Sequence, residues 1–161
     1  MAAEPLLSVI LPAHNEAENI PKMARRLAEV LPAAHIRYEV LFVNDGSTDN
    51  SWDVIRQTAQ AYPQVRGIRF SRAFGKEAAL YAGLQAARGD CCVTLDCDLQ
   101  HPVETIPAIA KCNAPRRWRK VRCAYPAGDS WPLQAAFRER CIAVSVYPPC
   151  RHGEEIGRAH V

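Results

Sequence analysis

The segment Asp96-Cys97-Asp98 places two carboxylates two residues apart. Hard oxygen ligands of this kind suit Mg²⁺ or Mn²⁺, and Mg²⁺ usually takes one or two carboxylates together with substrate phosphates. The pair therefore indicates a metal held jointly by the protein and a diphosphate, with the cation neutralising charge on a phosphate leaving group. A structural alternative stays open, because a helix cap followed by a solvated turn acid has the same pattern.

Two more polar clusters, His14-Asn15-Glu16 and Asn44-Asp45-Gly46, contain side chains that can bind a ligand. The Asp45 carboxylate can accept N–H groups from the edge of a nucleobase, or it can close an Asx turn. Glu16 can contact a ligand or simply belong to the start of a helix. A single histidine such as His14 is more often structural than catalytic, so each cluster has two interpretations.

The elements that must position these residues alternate between strand and helix. Gly89 is predicted to end the third helix in the left-handed conformation. Asn19 and Asp49 are predicted to cap the first and second helices. The predicted third helix is Lys76–Ala87. The predicted strands are Ser8–Leu11, Tyr38–Val43, Val65–Phe70 and Cys91–Leu95.

Alternation with short links predicts parallel strands, right-handed crossovers and helices on both faces of an open sheet. Ligands of such sheets bind at the carboxyl ends of the strands. Three polar clusters follow the predicted strands directly: Pro12–Glu16, Asn44–Asp49 and Asp96–Gln100. Arg72 and Lys76 can face a phosphate in the same region or remain solvated charges at the start of a helix. The carboxyl edge of the sheet is therefore the predicted site.

Three ordered motifs within residues 6–110 resemble family 2 glycosyltransferases of the GT-A fold: SVILPAHNE, VNDGSTD and LDCDLQHP. A fourth segment, SRAFGKEAAL at residues 71–80, is most similar to the polyprenyl-phosphate sugar transferases of that family. The resemblance implies an α/β, Rossmann-like, mostly parallel open sheet with helices on both faces. It also implies that the domain is incomplete here, and we expect the remainder of the chain to be irregular or disordered.

The resemblance further implies contacts to a nucleotide sugar at Pro12, His14, Glu16, Val43, Asp45, Asp96, Asp98 and Gln100. The first three lie where the family contacts base and ribose, and the next two where a second loop closes on the base. Asp96 and Asp98 match the pair that holds Mg²⁺ or Mn²⁺ and the donor diphosphate, and Gln100 matches a further ligand or phosphate contact. Cys97 departs from the small residue that is usual between the two aspartates.

The implied reaction is attack by a lipid phosphate oxygen on the anomeric carbon of a UDP- or GDP-linked sugar, with inversion. The polyprenyl-phosphate acceptor is already an anion, so positioning and stabilisation of the leaving group are the main demands, and no catalytic base is assigned. Two alternatives stay open. One is a family 2 transferase with a saccharide acceptor, and the other is a non-catalytic nucleotide-binding module with a basic arm.

The formal charge of +3 over 161 residues hides a contrast along the chain. Residues 1–110 carry 10 Lys and Arg against 13 Asp and Glu, whereas residues 111–161 carry 10 against 4. Two halves of one compact domain rarely differ this much, so the two parts are interpreted separately. The resemblance implies that residues 1–110 are the nucleotide-sugar-binding half of a GT-A domain.

The resemblance also leads us to expect that the intact parent acts at the cytoplasmic face of a membrane through C-terminal segments missing here. The chain alone is expected to be soluble and cytoplasmic, with weak donor binding and no turnover.

Residues 111–161, called the tail below, lack helical or strand periodicity apart from modest helical character at Leu133–Val146. The four cysteines of the tail lack the C-x₂₋₄-C spacing of a zinc site. Disulfides are disfavoured because the sequence gives no indication of a secreted protein. Arg116–Arg122 is basic, but the excess is too modest to predict nucleic-acid binding. We expect a frameshift near residues 108–112, because Arg-, Pro-, Cys- and Trp-rich sequence without periodicity is what GC-rich coding DNA yields out of frame. Ile156–Val161 can be encoded by a common sequencing adapter, which supports a spurious end to the gene.

Overall fold

The computed structural model describes residues 5–112 and 141–144. Strand and helix alternate through the first of these ranges, as the hydrophobic periodicity predicts. The strands are β1 Leu6–Ala13, β2 Arg37–Asn44, β3 Val65–Arg69, β4 Cys91–Thr94 and β5 Cys141–Val144. The helices are α1 Asn19–Ala33, α2 Ser51–Ala61, α3 Lys76–Ala86 and α4 Thr105–Cys112.

The five strands form one sheet in the order β3-β2-β1-β4-β5. Every neighbouring pair is parallel, and Ile10 of the central strand β1 lies opposite Leu41 of β2 and Thr94 of β4. The chain moves outward from β1 to β3 and then returns past β1 to β4. This reversal creates a topological switch point between β1 and β4, where open α/β sheets form their ligand crevice.

Helices cover both faces of the sheet, which confirms the predicted α/β architecture. Val9 and Leu11 of β1 face one apolar cluster that includes α1, α2 and α4. The intervening Ile10 faces a second cluster that includes α3. Because successive strand residues point to opposite faces, burial on both sides requires the continuous apolar runs seen in β1 and β2.

Gly89 has a different role from the predicted one. The expectation of a left-handed stop is wrong, because α3 ends at Ala86 and the next residue, Ala87, is extended. The described glycines with positive φ are Gly46 and Gly75. A Cβ atom on Gly89 would lie 2.6 Å from the Leu6 carbonyl oxygen and 2.7 Å from the Ser8 nitrogen. The residue is therefore glycine because the α3–β4 connection passes against the backbone of β1.

A buried carboxylate joins the amino ends of the strands. Glu39 Oε1 accepts hydrogen bonds from Ser8 Oγ at 2.6 Å and from the Arg88 nitrogen at 2.6 Å. Its Oε2 pairs with the Arg66 guanidinium at 3.0 Å, and Ser8 Oγ accepts from the Gly89 nitrogen at 2.8 Å. Burial alone would raise the pKa of Glu39, but these hydrogen bonds and the ion pair outweigh it and hold the pKa below its ordinary value.

The tail contributes one strand to the described structure, β5, which pairs with β4 so that Cys91 lies opposite Cys141. This differs from the modest helical character of Leu133–Val146. Ile142 and Val144 are β-branched, and pairing satisfies backbone groups that the edge of β4 would otherwise leave unpaired. Residues 113–140 and 145–161 lie outside the described residues, so the domain boundary and the frameshift stay predictions. Across residues 5–112 and 141–144, every helix is too short or too polar to span a bilayer.

Candidate functional site

A cleft of about 250 Å³ lies at the carboxyl ends of β1, β2 and β4, at the switch point of the sheet. Its lining residues are Pro12, Ala13, His14, Glu16, Asp45, Lys76, Asp96, Cys97 and Asp98. Four of these side chains are carboxylic acids and one is a lysine. Residues from three separate polar clusters of the sequence thus share one concave, acidic surface, called the acidic cleft below.

The loop after β1 is fixed by the loop after β2. Asn15 adopts a positive φ of 55°, a conformation that asparagine tolerates better than most residues. Its side-chain oxygen accepts hydrogen bonds from the backbone nitrogens of Thr48 at 2.8 Å and Asp49 at 3.3 Å. The Glu16 nitrogen donates to Ser51 Oγ at 3.0 Å. These contacts hold the residues on either side of Asn15 at the rim of the acidic cleft.

His14 makes a structural contact inside this arrangement. Its Nδ1 lies 2.7 Å from the Asp45 carbonyl oxygen. A carbonyl oxygen can only accept, so Nδ1 carries the proton and Nε2 remains for another partner. The His14 side chain is exposed at the cleft, which leaves the predicted contact to a nucleotide geometrically open.

The Asp45 carboxylate holds the loop between β3 and α3. Its Oδ1 accepts from the Phe74 nitrogen at 2.7 Å and its Oδ2 from the Gly75 nitrogen at 3.0 Å. Gly46 next to it has φ +58°, and a Cβ there would lie 2.2 Å from the Ala73 nitrogen. This role of the Asp45 carboxylate in fixing the loop was not predicted from the sequence. The available signal was Gly75, which offers no side chain to satisfy the free amides at the start of α3.

The two aspartates after β4 have different partners. Asp96 Oδ1 lies 2.6 Å from the Lys76 ammonium nitrogen. Asp98 Oδ1 accepts a hydrogen bond from the Gln100 nitrogen at 3.0 Å, and Leu99 between them has φ +62°. The turn at Cys97 and Asp98 thus lets both carboxylates line the acidic cleft, as an extended strand would not.

Cys97 sits between these carboxylates with a side chain that is only 2% exposed. Burial, and then the negative charges of Glu16, Asp98 and Asp96, raise the pKa of its thiol to about 12. The residue therefore stays a neutral thiol and adds no further negative charge to the acidic cleft.

Two of the eight predicted site residues are not among the residues that line the cleft. Val43 is fully buried, and its Cγ2 would be 3.3 Å from a Cβ on Gly83, so its side chain packs under α3. Gln100 is exposed beyond the turn. The cleft brings together the other six, which are Pro12, His14, Glu16, Asp45, Asp96 and Asp98.

The donor set of the acidic cleft fits a hard divalent cation. Asp96 and Asp98 offer carboxylate oxygens, the ligands that Mg²⁺ and Mn²⁺ prefer. Among the described residues, no group of three or more His, Cys, Asp or Glu side chains converges as a metal site. This open arrangement suits a cation that completes its coordination with phosphate oxygens of a bound substrate better than one held in a closed protein cage.

Comparison with curated proteins gives relatives with stated acceptors. The chain is 41% identical over 103 residues to the bactoprenol glucosyl transferase of Shigella phage SfV, a match covering 64% of this chain and 34% of that protein. It is 36% identical over 107 residues to the undecaprenyl-phosphate 4-deoxy-4-formamido-L-arabinose transferase of Aeromonas hydrophila, covering 66% and 33%. The chain spans about a third of the length of these relatives.

Among solved structures, the chain is similar to the mannosyltransferase PcManGT from Pyrobaculum calidifontis, which was determined with GDP-Man and Mn²⁺. The TM-score is 0.61 at 27% identity, and the match covers 70% of this chain and 33% of the other. The family model described as glycosyl transferase family 2 matches residues 8–111, which contain the whole acidic cleft. The chain therefore belongs to glycosyl transferase family 2, and the predicted GT-A architecture is confirmed.

Proposed function

We propose that this chain carries the nucleotide-sugar-binding half of an enzyme that transfers a sugar, with inversion, to a polyprenyl phosphate. The observation that carries the proposal is the meeting of Asp96, Asp98 and Glu16 at the switch point of the sheet. The names of relatives that act on bactoprenol and on undecaprenyl phosphate support this acceptor class. The donor is a UDP- or GDP-linked sugar.

Different residues of the acidic cleft bind different parts of this donor. Pro12, His14 and Glu16 form the wall that receives base and ribose, with Nε2 of His14 able to hydrogen-bond the nucleotide. Asp96 and Asp98 hold Mg²⁺ or Mn²⁺. When bound, this cation neutralises negative charge on the diphosphate leaving group.

Asp45 fixes the loop before α3 and so closes one side of the acidic cleft. A contact from Asp45 to the nucleobase is proposed in addition, as are contributions from Val43 and Gln100. The acceptor phosphate already carries negative charge, so the protein must mainly align its oxygen with the anomeric carbon.

An acceptor that is a membrane lipid requires the intact enzyme to act at a membrane, and we propose that it acts at the cytoplasmic face.

A family 2 transferase with a saccharide acceptor is the second candidate, because the nucleotide-binding wall would be the same. Incubation of the full-length protein with labelled UDP-glucose or GDP-mannose distinguishes them. Transfer of label to undecaprenyl phosphate supports the proposal, and transfer only to a saccharide contradicts it.

Calorimetry of this chain with UDP-glucose and GDP-mannose, with and without Mn²⁺, tests donor binding directly. We expect binding that requires Mn²⁺ and weakens at least about tenfold in Asp98→Asn, a loss of about 1.4 kcal/mol. Asp53→Asn removes the same charge from an exposed position on α2 and serves as the control. Equal affinities for wild type and Asp98→Asn would contradict the metal assignment, and binding by neither nucleotide sugar would contradict the donor assignment.

A further inference from the structure

Lys76 is the single Lys or Arg side chain among the described residues that line the acidic cleft. Glu16, Asp45, Asp96 and Asp98 line the same cleft, so the lining carries a strong excess of negative charge. The ammonium lies 2.6 Å from Asp96 Oδ1, at the distance of a direct charged hydrogen bond. Lys76 thus neutralises one of the two carboxylates to which the metal is assigned.

An ammonium and a divalent cation compete for the carboxylate of Asp96. Two cations only a few ångströms apart repel each other, whichever of the two carboxylate oxygens the metal takes. Binding of a metal at Asp96 therefore favours departure of the Lys76 ammonium. Its side chain is 60% exposed and that of Asp96 is 37% exposed, so the ion pair is weak enough to be displaced.

The backbone around Lys76 is held in place, whereas its side chain is largely exposed to solvent. Lys76 is the first residue of α3, and the two preceding nitrogens, of Phe74 and Gly75, donate to the Asp45 carboxylate. The flexible four-carbon stem of a lysine can therefore swing from an anchored base. A displaced ammonium remains at the cleft, next to where the phosphates of a donor would lie.

We propose that Lys76 is an exchangeable counter-ion, which pairs with Asp96 before the metal binds and contacts the donor diphosphate afterwards. This inference rests on the proposed function, because it assumes a divalent cation and a nucleotide diphosphate in the acidic cleft. It assigns Lys76 two opposite effects. The lysine weakens the affinity for the free metal and strengthens the affinity for the nucleotide once metal is present.

Replacement of Lys76 by methionine separates these effects. Electron paramagnetic resonance measures binding of free Mn²⁺, and we expect Lys76→Met to bind Mn²⁺ about two- to fivefold more tightly than wild type, the range of an exposed ion pair. Calorimetry at saturating Mn²⁺ measures binding of UDP and GDP, and we expect the variant to bind at least about tenfold more weakly, as for a lost charged hydrogen bond. Arg56→Met removes the same charge from an exposed site on α2 and should change neither value.

A double-mutant cycle with Asp96→Asn tests whether the competition acts through Asp96. The gain in Mn²⁺ affinity from Lys76→Met should vanish in the Asp96→Asn background, because the lysine then has no carboxylate to occupy. An unchanged or weaker Mn²⁺ affinity of Lys76→Met, with Asp98→Asn still impaired, would overturn the exchange and leave the metal site standing. Absence of Mn²⁺ binding in wild type and Lys76→Met alike would overturn the proposed metal site and this inference with it.

Discussion

Cys97 is the residue at which the acidic cleft and the hydrophobic core meet. Its backbone belongs to the turn that carries Asp96 and Asp98, while its side chain packs with the cluster beneath α1. A thiol suits this position because it behaves as a small apolar group and stays neutral next to carboxylates. The sequence indicated only a departure from a small residue, since burial at this position depends on contacts with distant elements.

Alkylation of Cys97 by iodoacetamide should be slow in the folded chain. The thiolate is the reactive species, and a pKa of about 12 keeps its population small from pH 7 to 10. We expect labelling at least about tenfold slower than in the chain unfolded by urea, where the pKa returns to about 8.5. Peptide mass spectrometry measures both rates. A native rate that rises through pH 8–9 as in the unfolded chain would contradict this burial.

The loop that connects β3 to α3 is fixed by contacts with residues outside the loop. Asp45 accepts two of its backbone nitrogens, and the loop passes so close to Gly46 that a side chain there has no room. Phe70 and Phe74 stack edge to face within it at 5.5 Å between ring centroids. The element that presents Lys76 to the acidic cleft therefore depends on the end of β2.

Gly46→Ala should displace this connection and weaken both stability and donor binding. The new Cβ would clash with the backbone of Arg72 and Ala73, and φ +58° adds strain of about 1 kcal/mol for a residue with a side chain. Gly75→Ala is the matched control, because it also has positive φ but no atom within 4 Å of the new Cβ. Thermal unfolding should show the larger loss for Gly46→Ala. Equal losses in the two variants would mean that strain alone matters.

Local pattern predicted the order of strands and helices, because these elements are signalled by neighbouring residues. The predicted caps Asn19 and Asp49 were wrong, since Glu18 and Asn50 are the residues that precede α1 and α2. The end of β2 followed from an apolar run that stops at Asn44-Asp45-Gly46, whereas β1 continues past the predicted Leu11 and through Pro12 to Ala13. Six of eight site residues do line one cleft. Contacts between residues far apart in sequence were not predictable in this way. Gly89 and Ser8 are 81 positions apart, and their hydrogen bond depends on the packing of β4 against β1.

Two clusters of polar residues lie at opposite ends of the sheet. The acidic cleft lies at the carboxyl ends of the strands, and the buried network around Glu39 lies at their amino ends. Glu39 connects β1, β2 and β3 with the α3–β4 connection through Ser8, Arg66 and Arg88. The second group contributes to stability and is remote from the proposed chemistry.

Glu39→Gln should lower the free energy of unfolding at neutral pH and lower it less at acidic pH. Because the folded pKa of Glu39 lies below its ordinary value of 4.5, its contribution is complete above that value and disappears as pH falls through the folded pKa. We expect a loss of about 1–3 kcal/mol at pH 7 that shrinks toward pH 3. Urea unfolding at both pH values measures it. Exposed Glu29→Gln is the control, and a loss independent of pH would contradict the role of charge.

The walls of the acidic cleft come from strand ends that are distant in sequence and meet only when the sheet is assembled. A molecule bound across them therefore has high affinity only for the folded chain, and mass action links its concentration to the folded population. At one hundred times its dissociation constant, such a ligand adds about 2.7 kcal/mol to stability. The abundance of a ligand of the acidic cleft would thus govern how long the protein survives proteolysis.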